Sequence, residues 1–173
     1  MKLEGLTVLD LSLFLPGPAV SQMMSDHGAR IIKIENPAAP EPTRSSDFFP
    51  WVQGGSTVMF RATQRGKESL ALNLKSDKGR DVLLKLVAEA DVFIESFRPG
   101  VMKRLGIDYD VVSKINPKII YCAMTGYGDG GPKAFKGAYD NTIQAASGTV
   151  AQCNGMKPGL SFVDYAAGYS AAF

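Results

Sequence analysis

From Leu6 to Met124 the sequence keeps one rhythm: a short run of aliphatic and β-branched residues, a turn signal, a longer amphipathic stretch, then the next short run. Strands joined by helical crossovers pair in parallel. The rhythm therefore predicts an α/β fold with an open, mainly parallel sheet flanked by helices, Rossmann-like in kind. The first strand is expected over Leu6 to Leu11; Pro16-Gly17-Pro18 opens a helix that runs to about His27, where Gly28 stops it. Ala29 to Glu35 gives a second strand, whose run Ile31-Ile32-Lys33-Ile34 is apolar enough for burial on both faces. A third spans Glu68 to Leu74, and Ser76 caps a helix with Val82, Leu83, Leu86 and Val87 at helical spacing. Asp91 to Phe97 is again a strand, Pro99 starts a short helix through Leu105, a further helix covers Tyr109 to Ile115, and Lys118 to Met124 closes the series.

Residues 36–66 break the rhythm. The segment is rich in Pro, Gly, Ser and Thr and carries Phe48, Phe49, Trp51 and Phe60. It is too long for a plain connector, which marks it as a functional loop. Its aromatic residues read equally as anchors for that loop or as a wall for a ligand.

With 173 residues, 45% of them hydrophobic, the chain can bury one ordinary core, and its length argues for a single domain. A net charge of +2 is not that of a nucleic-acid binder, although a few placed cations can still hold a small phosphorylated ligand. No apolar run approaches a membrane span, and Glu4 and Asp10 interrupt the one N-terminal stretch that could act as a signal peptide. Cys122 and Cys153 are expected as reduced thiols, and the whole reads as a cytoplasmic protein with no nucleic-acid or membrane partner. His27, the sole histidine, is read as a surface residue at a helix end. A single histidine argues against a histidine-rich metal site or a Ser-His relay, so no metal is expected.

Chemistry concentrates toward the carboxy end. The run Met124-Thr125-Gly126-Tyr127-Gly128-Asp129-Gly130-Gly131-Pro132 resembles a phosphate cradle, but no helix opens after it. It fails the dinucleotide fingerprint and reads as a surface turn. Phe162-Val163-Asp164-Tyr165-Ala166-Ala167-Gly168 sets one carboxylate at a helix start among small residues. Two readings stand: Asp164 is the N-cap of a helix beginning at Tyr165, or it is a reactive carboxylate that an acyl group can approach. Lys75, Arg98 and Arg104 are solvated cations on the ordinary reading. Yet all three follow strands, and ligands of open parallel sheets bind beyond the carboxyl ends of strands. Tyr139 reads as a half-buried packing residue whose hydroxyl finds a partner. The helical pattern reaches Phe173 with no Gly, Pro or basic stop signal, so the chain is expected to be the front part of something larger.

Several blocks together carry a resemblance. They are Leu3-Glu4-Gly5-Leu6-Thr7-Val8-Leu9-Asp10-Leu11-Ser12, the Pro16-Gly17-Pro18 turn, Gly28-Ala29-Arg30-Ile31-Ile32-Lys33-Ile34-Glu35, Leu72-Asn73-Leu74-Lys75-Ser76, and Phe97-Arg98-Pro99-Gly100-Val101-Met102-Lys103-Arg104-Leu105-Gly106. In this order and spacing they resemble the family III CoA-transferases, a family that includes formyl-CoA and carnitine CoA-transferases and has α-methylacyl-CoA racemases as relatives. The resemblance covers essentially the whole chain. It implies that residues 1–173 are the N-terminal portion of a CoA-binding α/β domain, an incomplete large domain, with the small domain and the C-terminal return segment of longer members absent. It also implies a partner, either a complementary C-terminal polypeptide or a second copy in a homodimer.

For the site, the resemblance implies that Asp164 is the nucleophile. Its carboxylate attacks the thioester of an acyl-CoA, and the mixed anhydride is converted by the released CoA thiolate into an aspartyl-CoA thioester, which a second carboxylic acid resolves. Coenzyme A enters as the acyl-CoA substrate, and no metal is required. Leu72, Lys75, Phe97, Arg98 and Arg104 correspond to CoA-binding positions, with cations facing phosphates and apolar groups around adenine. Leu15 and Tyr139 correspond to positions near the acyl group. The departures are Glu95-Ser96 where Glu-Asn is common, Leu15 in place of a polar residue, and Asn36 where an arginine can stand. The racemase branch uses a histidine where this chain has Tyr139, so racemisation loses one of its bases and transfer is the better reading. The resemblance leaves three accounts of the chain: part of a split transferase, a truncated product without turnover, or a noncatalytic CoA-binding or interaction module.

Overall fold

Five parallel strands organise the molecule in a computed structural model, which describes residues 1–47 and 49–173; Phe48 of the 36–66 segment lies outside the described residues. In chain order, β1 (Thr7–Asp10), α1 (Pro16–Asp26) and β2 (Arg30–Glu35) form the opening unit. A 3-10 turn at Pro42–Arg44, a short hairpin of β3 (Val52–Gln53) and β4 (Ser56–Thr57), and α2 (Val58–Gln64) lead to β5 (Lys67–Ala71). Next come α3 (Asp77–Val87), β6 (Val92–Glu95), α4 (Val101–Leu105), α5 (Tyr109–Ile115) and β7 (Ile120–Ala123). The last elements are α6 (Asp140–Ala146), α7 (Thr149–Gln152) and α8 (Phe162–Ala172).

The sheet order is β5-β2-β1-β6-β7, and every neighbouring pair is parallel. The chain walks outward from β1 through β2 to β5, then returns to the other side of β1 to lay down β6 and β7. Where the order reverses, between β1 and β6, the two connections leave in opposite directions and open a crevice beyond the strand ends. The architecture is the open parallel α/β sheet that the alternating runs predict.

Side chains alternate across each strand, and this sorts the core into two layers. Val8, Ile31, Val92 and Ile94 pack with Val20 of α1 and Ala29 on one face. Leu9, Leu11, Ile32, Ile34 and Phe93 pack on the other against Leu83 and Val87 of α3, Met102 of α4 and Val112 of α5. Burying each of the large side chains is worth about 2 kcal/mol, and with both faces covered the strands must be nearly continuously apolar. Val82, expected in the core, is instead 41% exposed, because it lies one residue around the helix from Leu83, at the edge of the buried stripe.

Other boundaries shift for local reasons. Ser76 caps α3 as expected, its hydroxyl accepting from the Gly79 N–H at 3.2 Å. The helix expected from Pro99 begins at Val101, because Gly100 takes the left-handed conformation (φ 83°) as its N-cap. The 36–66 segment is not loop throughout; it holds the 3-10 turn, the hairpin and α2.

Candidate functional site

The crevice is built first by the turns that follow β1 and β6. Across it the Leu13 N–H donates to the Ser96 hydroxyl at 3.0 Å, tying the two turns together. Leu15 is the N-cap residue of α1 and is buried, while Phe97 packs against the α3–α5 face of the core. Arg98 is exposed and lies over Gly137; a Cβ placed there would stand 2.7 Å from the guanidinium, so the small residue permits the contact. Arg104 curls back over Gly100, the start of its own helix. Leu72 and Lys75 follow β5 at the sheet's edge, and Leu72 joins the same core face as Phe97. Three strand spacings separate β5 from β6, about 14 Å, a span suited to an extended ligand rather than a compact one. Tyr139, expected half-buried, is 64% exposed and precedes α6.

A buried ionic network that the sequence reading did not anticipate holds the turn after β1. Asp10 and Lys33 are register partners on β1 and β2, and Lys33 Nζ lies 3.6 Å from Asp10 and 3.4 Å from Glu41. Lys67 of β5 reaches the same Asp10 at 3.2 Å, with the Pro18 carbonyl at 3.0 Å and Gln64 at 3.1 Å as further acceptors. Ser12 and Ser21 also donate to the Asp10 carboxylate. Burial alone would raise Asp10; Lys33, Lys67 and the two hydroxyls outweigh it and hold the carboxyl well below its usual range. Burial pushes Lys67 down to about 8, partly offset by Asp10. Glu41 in turn accepts from the Phe14 N–H at 3.0 Å, where Phe14 takes a left-handed φ of 65°. Such a conformation costs a bulky residue of order 1 kcal/mol or more, so the network fixes a turn the chain would not adopt alone. A clue was present: a lysine inside a strand buried on both faces requires a counter-charge.

Asp164 is the third residue of α8, whose N-cap is Ser161 with no side-chain capping bond. The N-cap reading of Asp164 is therefore wrong, because the helix starts at Phe162 rather than Tyr165. Part of the missing cap comes from α6. Asp140 Oδ1 accepts from the N–H groups of Val163 at 3.0 Å and Asp164 at 3.3 Å. Gln144, fully buried, donates to Asp140 Oδ2 and, at 3.1 Å, to the Leu160 carbonyl. Burial and the neighbouring Asp140 push Asp164 up to about 6.

The packing of α8 decides where that carboxyl stands. A Cβ on Gly168 would lie 2.6 Å from the Pro16 carbonyl and 2.9 Å from the Ala19 side chain, and Ala172 shares a cavity of about 270 Å³ with Met23 and Met24. The helix thus runs alongside α1 in the same direction. Asp164 is one turn, about 6 Å, before Gly168 and on the same helix face, so it lies about a turn before the Pro16–Ala19 contact, on the side of the turn that joins β1 to α1. Glu95, at the end of β6, is a second perturbed carboxyl: burial, opposed by the Phe97 N–H and reinforced by Asp129, pushes it up to about 7. Among the described residues no group of His, Cys, Asp and Glu gathers as a metal-binding cluster, and no helix is long and apolar enough to cross a membrane.

Known proteins share both the sequence and the backbone fold. The sequence profile of CoA-transferase family III matches residues 3–173. Acetyl-CoA:oxalate CoA-transferase of Acetobacter aceti is 46% identical over 145 residues, which cover 84% of this chain and 36% of that protein. Succinyl-CoA:glutarate CoA-transferase of Homo sapiens is 37% identical over 171 residues, covering 96% of this chain and 39% of that protein. The crystal structure of a CAIB/BAIF family protein from Brucella suis superposes with a TM-score of 0.89 at 36% identity, covering 98% of this chain and 47% of that one. The chain spans a little over a third of the length of these curated relatives. Since sequence and backbone agree over nearly all of it, the parallel sheet and its crevice are those of a member of CoA-transferase family III, the family to which this chain belongs.

Proposed function

We propose that residues 1–173 form the N-terminal portion of the CoA-binding α/β domain of an enzyme that moves CoA from an acyl-CoA to a carboxylic acid, with Asp164 as the acyl acceptor. The observation that supports this reading is that Asp164 is half-buried in the first turn of α8, a helix that packs on the start of α1 through Gly168, with its carboxyl pushed up to about 6. At neutral pH it is mostly ionised, and a carboxylate of raised pKa is a stronger nucleophile than a solvated one. Relatives whose names pair an acyl-CoA with oxalate or glutarate support a carboxylic acid as the acceptor class.

The chemistry balances without a metal. An Asp164 oxygen adds to the thioester carbonyl, the C–S bond breaks, and CoA leaves as a thiolate beside an aspartyl-acyl anhydride. That thiolate attacks the aspartyl carbonyl, expelling the donor carboxylate and leaving an aspartyl-CoA thioester. The acceptor carboxylate then adds to this thioester, and the same two steps run in reverse to give the new acyl-CoA and free Asp164. In this reading Lys75, Arg98 and Arg104 face the phosphates, since cations at an exposed rim pair well with them. Leu72 and Phe97 flank the adenine. The buried Leu15 closes the crevice near the acyl group, and the exposed Tyr139 offers its hydroxyl to the acid.

The test is to mix the chain with radiolabelled acyl-CoA and quench. A covalent adduct cleaved by hydroxylamine and mapped by mass spectrometry to Asp164 is expected, and Asp164→Ala should abolish it. Arg104→Ala should weaken acyl-CoA affinity about 10-fold, roughly the 1.4 kcal/mol of one charged contact, without preventing the adduct. An Asp164→Ala protein that still forms the adduct would falsify the assignment. Acyl-CoA binding with no adduct in the wild type would make the chain a binding module instead.

A further inference from the structure

We infer that Asp140 is a positioning residue for Asp164: its carboxylate, itself held by Gln144, fixes the first turn of α8 and sets the charge against which Asp164 reacts. The inference rests on the reading of Asp164 as the acyl acceptor. Helix caps are ordinarily local, supplied by the residue just before the first turn. Here the cap arrives from 23 and 24 residues away, at the start of a different helix. The Asp140 carboxylate therefore sits between the first turns of α6 and α8, whose unpaired N–H groups both favour negative charge.

Capping alone does not call for an acid. Asn would accept the same two N–H bonds without a charge, and Asp140 is buried with no Lys or Arg ion-paired to it among the described residues. Its compensation is two backbone N–H groups and the Gln144 amide. Placing that charge beside a second half-buried carboxyl is costly, and the cost falls on the ionised state of Asp164. Once an Asp164 oxygen is acylated its charge is gone, and the repulsion goes with it. The arrangement thus raises the free carboxylate relative to the acylated enzyme and speeds acyl capture, while the bonds to the Val163 and Asp164 N–H groups hold the first turn of α8 in one position. Among the described residues of the elements packed on α8, α6 carries no acid or base besides Asp140 and the Pro16–Ala19 end of α1 carries none, while α8 itself adds only the phenols of Tyr165 and Tyr169.

Asp140→Asn removes the charge and keeps an acceptor for the two N–H groups, with the Gln144 amide turned so that its Oε1, unpartnered among the described residues, accepts from the new NH2; Asp140→Ala removes both charge and acceptor. In the full chain without substrate, carbon-detected NMR of the Asp164 carboxyl should show the Asn variant titrating about half a pH unit or more below the wild type. With acyl-CoA, adduct formation should slow about 10-fold while acyl-CoA affinity stays unchanged, as expected when only a reacting group is perturbed. The Ala variant should in addition exchange the Val163 and Asp164 amides faster. A wild-type titration midpoint and a wild-type rate in Asp140→Asn overturn the inference. Asp164→Ala, run in parallel, separates the two failures. If it still forms the adduct, the acyl-acceptor reading fails and takes this one with it; if it does not, normal behaviour of Asp140→Asn condemns the positioning role alone.

Discussion

Glu95 ends β6 with its carboxyl buried, accepting the Phe97 N–H at 2.7 Å, and burial pushes it up to about 7 from 4.5. Because its folded value lies above the unfolded one, the native state holds the proton more tightly. Its contribution to stability is full below about 4.5 and is lost as pH rises through 7. Above that, the ionised side chain costs up to about 3 kcal/mol, at about 1.4 kcal/mol per unit. Glu95→Gln keeps an acceptor for Phe97 and cannot ionise. Urea unfolding should find it more stable than the wild type at pH 8 and equal to it near pH 4.5; a constant difference across that range would mean that charge is not the cause. A carboxyl kept at such cost beside Phe97 and Arg98 is the kind of local conflict expected where function sets the residue. At this scale the sequence revealed identities but not environments. Asp164 could be given a role from its small neighbours, whereas Asp140 and Gln144 stand out in the same stretch of sequence with no role attached, because their meaning depends on α6 meeting α8 across the chain.

Between elements, the α1–α8 contact is the one on which the position of Asp164 depends. Gly168 in the middle of α8 costs the helix about 0.5–1 kcal/mol relative to Ala. Propensity alone therefore predicts that Gly168→Ala stabilises. Packing predicts the reverse, since the added Cβ would stand 2.6 Å from a backbone carbonyl that has no rotamer to give. Overpacking of this kind costs about 1–3 kcal/mol, so the variant should lose stability by chemical denaturation and form the Asp164 adduct more slowly. A gain in stability would mean that the two helices are not in contact as described. The elements α3, α5 and all five sheet strands stand near where the runs place them, because each carries several large apolar residues at its own spacing. The hairpin, α6 and α7 were not legible: the hairpin strands have two residues each, and α6 and α7 each hold a single large aliphatic residue, Ile143 and Val150, which sets no period. The first turn of α8 was not legible because Ser161 and Asp164 are both N-cap residue types and the sequence alone does not choose between them.

Across the whole molecule, the parallel sheet followed from the alternation of runs, but the strand order did not, and the order is what makes the site. Only when β1 lies between β2 and β6 can Asp10 meet Lys33 on one side while the turns after β1 and β6 meet through Leu13 and Ser96 on the other. The Asp10 carboxylate then ties β1, β2, β5 and the first half of α1 into one unit, and Glu41 couples it to the turn at Phe14. Asp10→Asn strands two buried ammonium groups. Removing one partner of a buried ion pair costs about 3–5 kcal/mol, and the low end is expected here because Lys33 keeps Glu41. The sign with pH is fixed by the depressed carboxyl. Its contribution is present above the unfolded value of 3.8 and is lost as pH falls toward the lower native value, so the Asn variant and the wild type should converge in acid. Unfolding measured at pH 7 and again near pH 2 checks this. Hydrogen exchange at pH 7 should show residues 12–15 and 41–44 loosening together in the variant while β7 and α5 stay protected, because the sheet's far side shares none of these charges. A loss that persists undiminished in acid would assign the effect to packing, and with it remove the ionic network as the element that holds the crevice in shape.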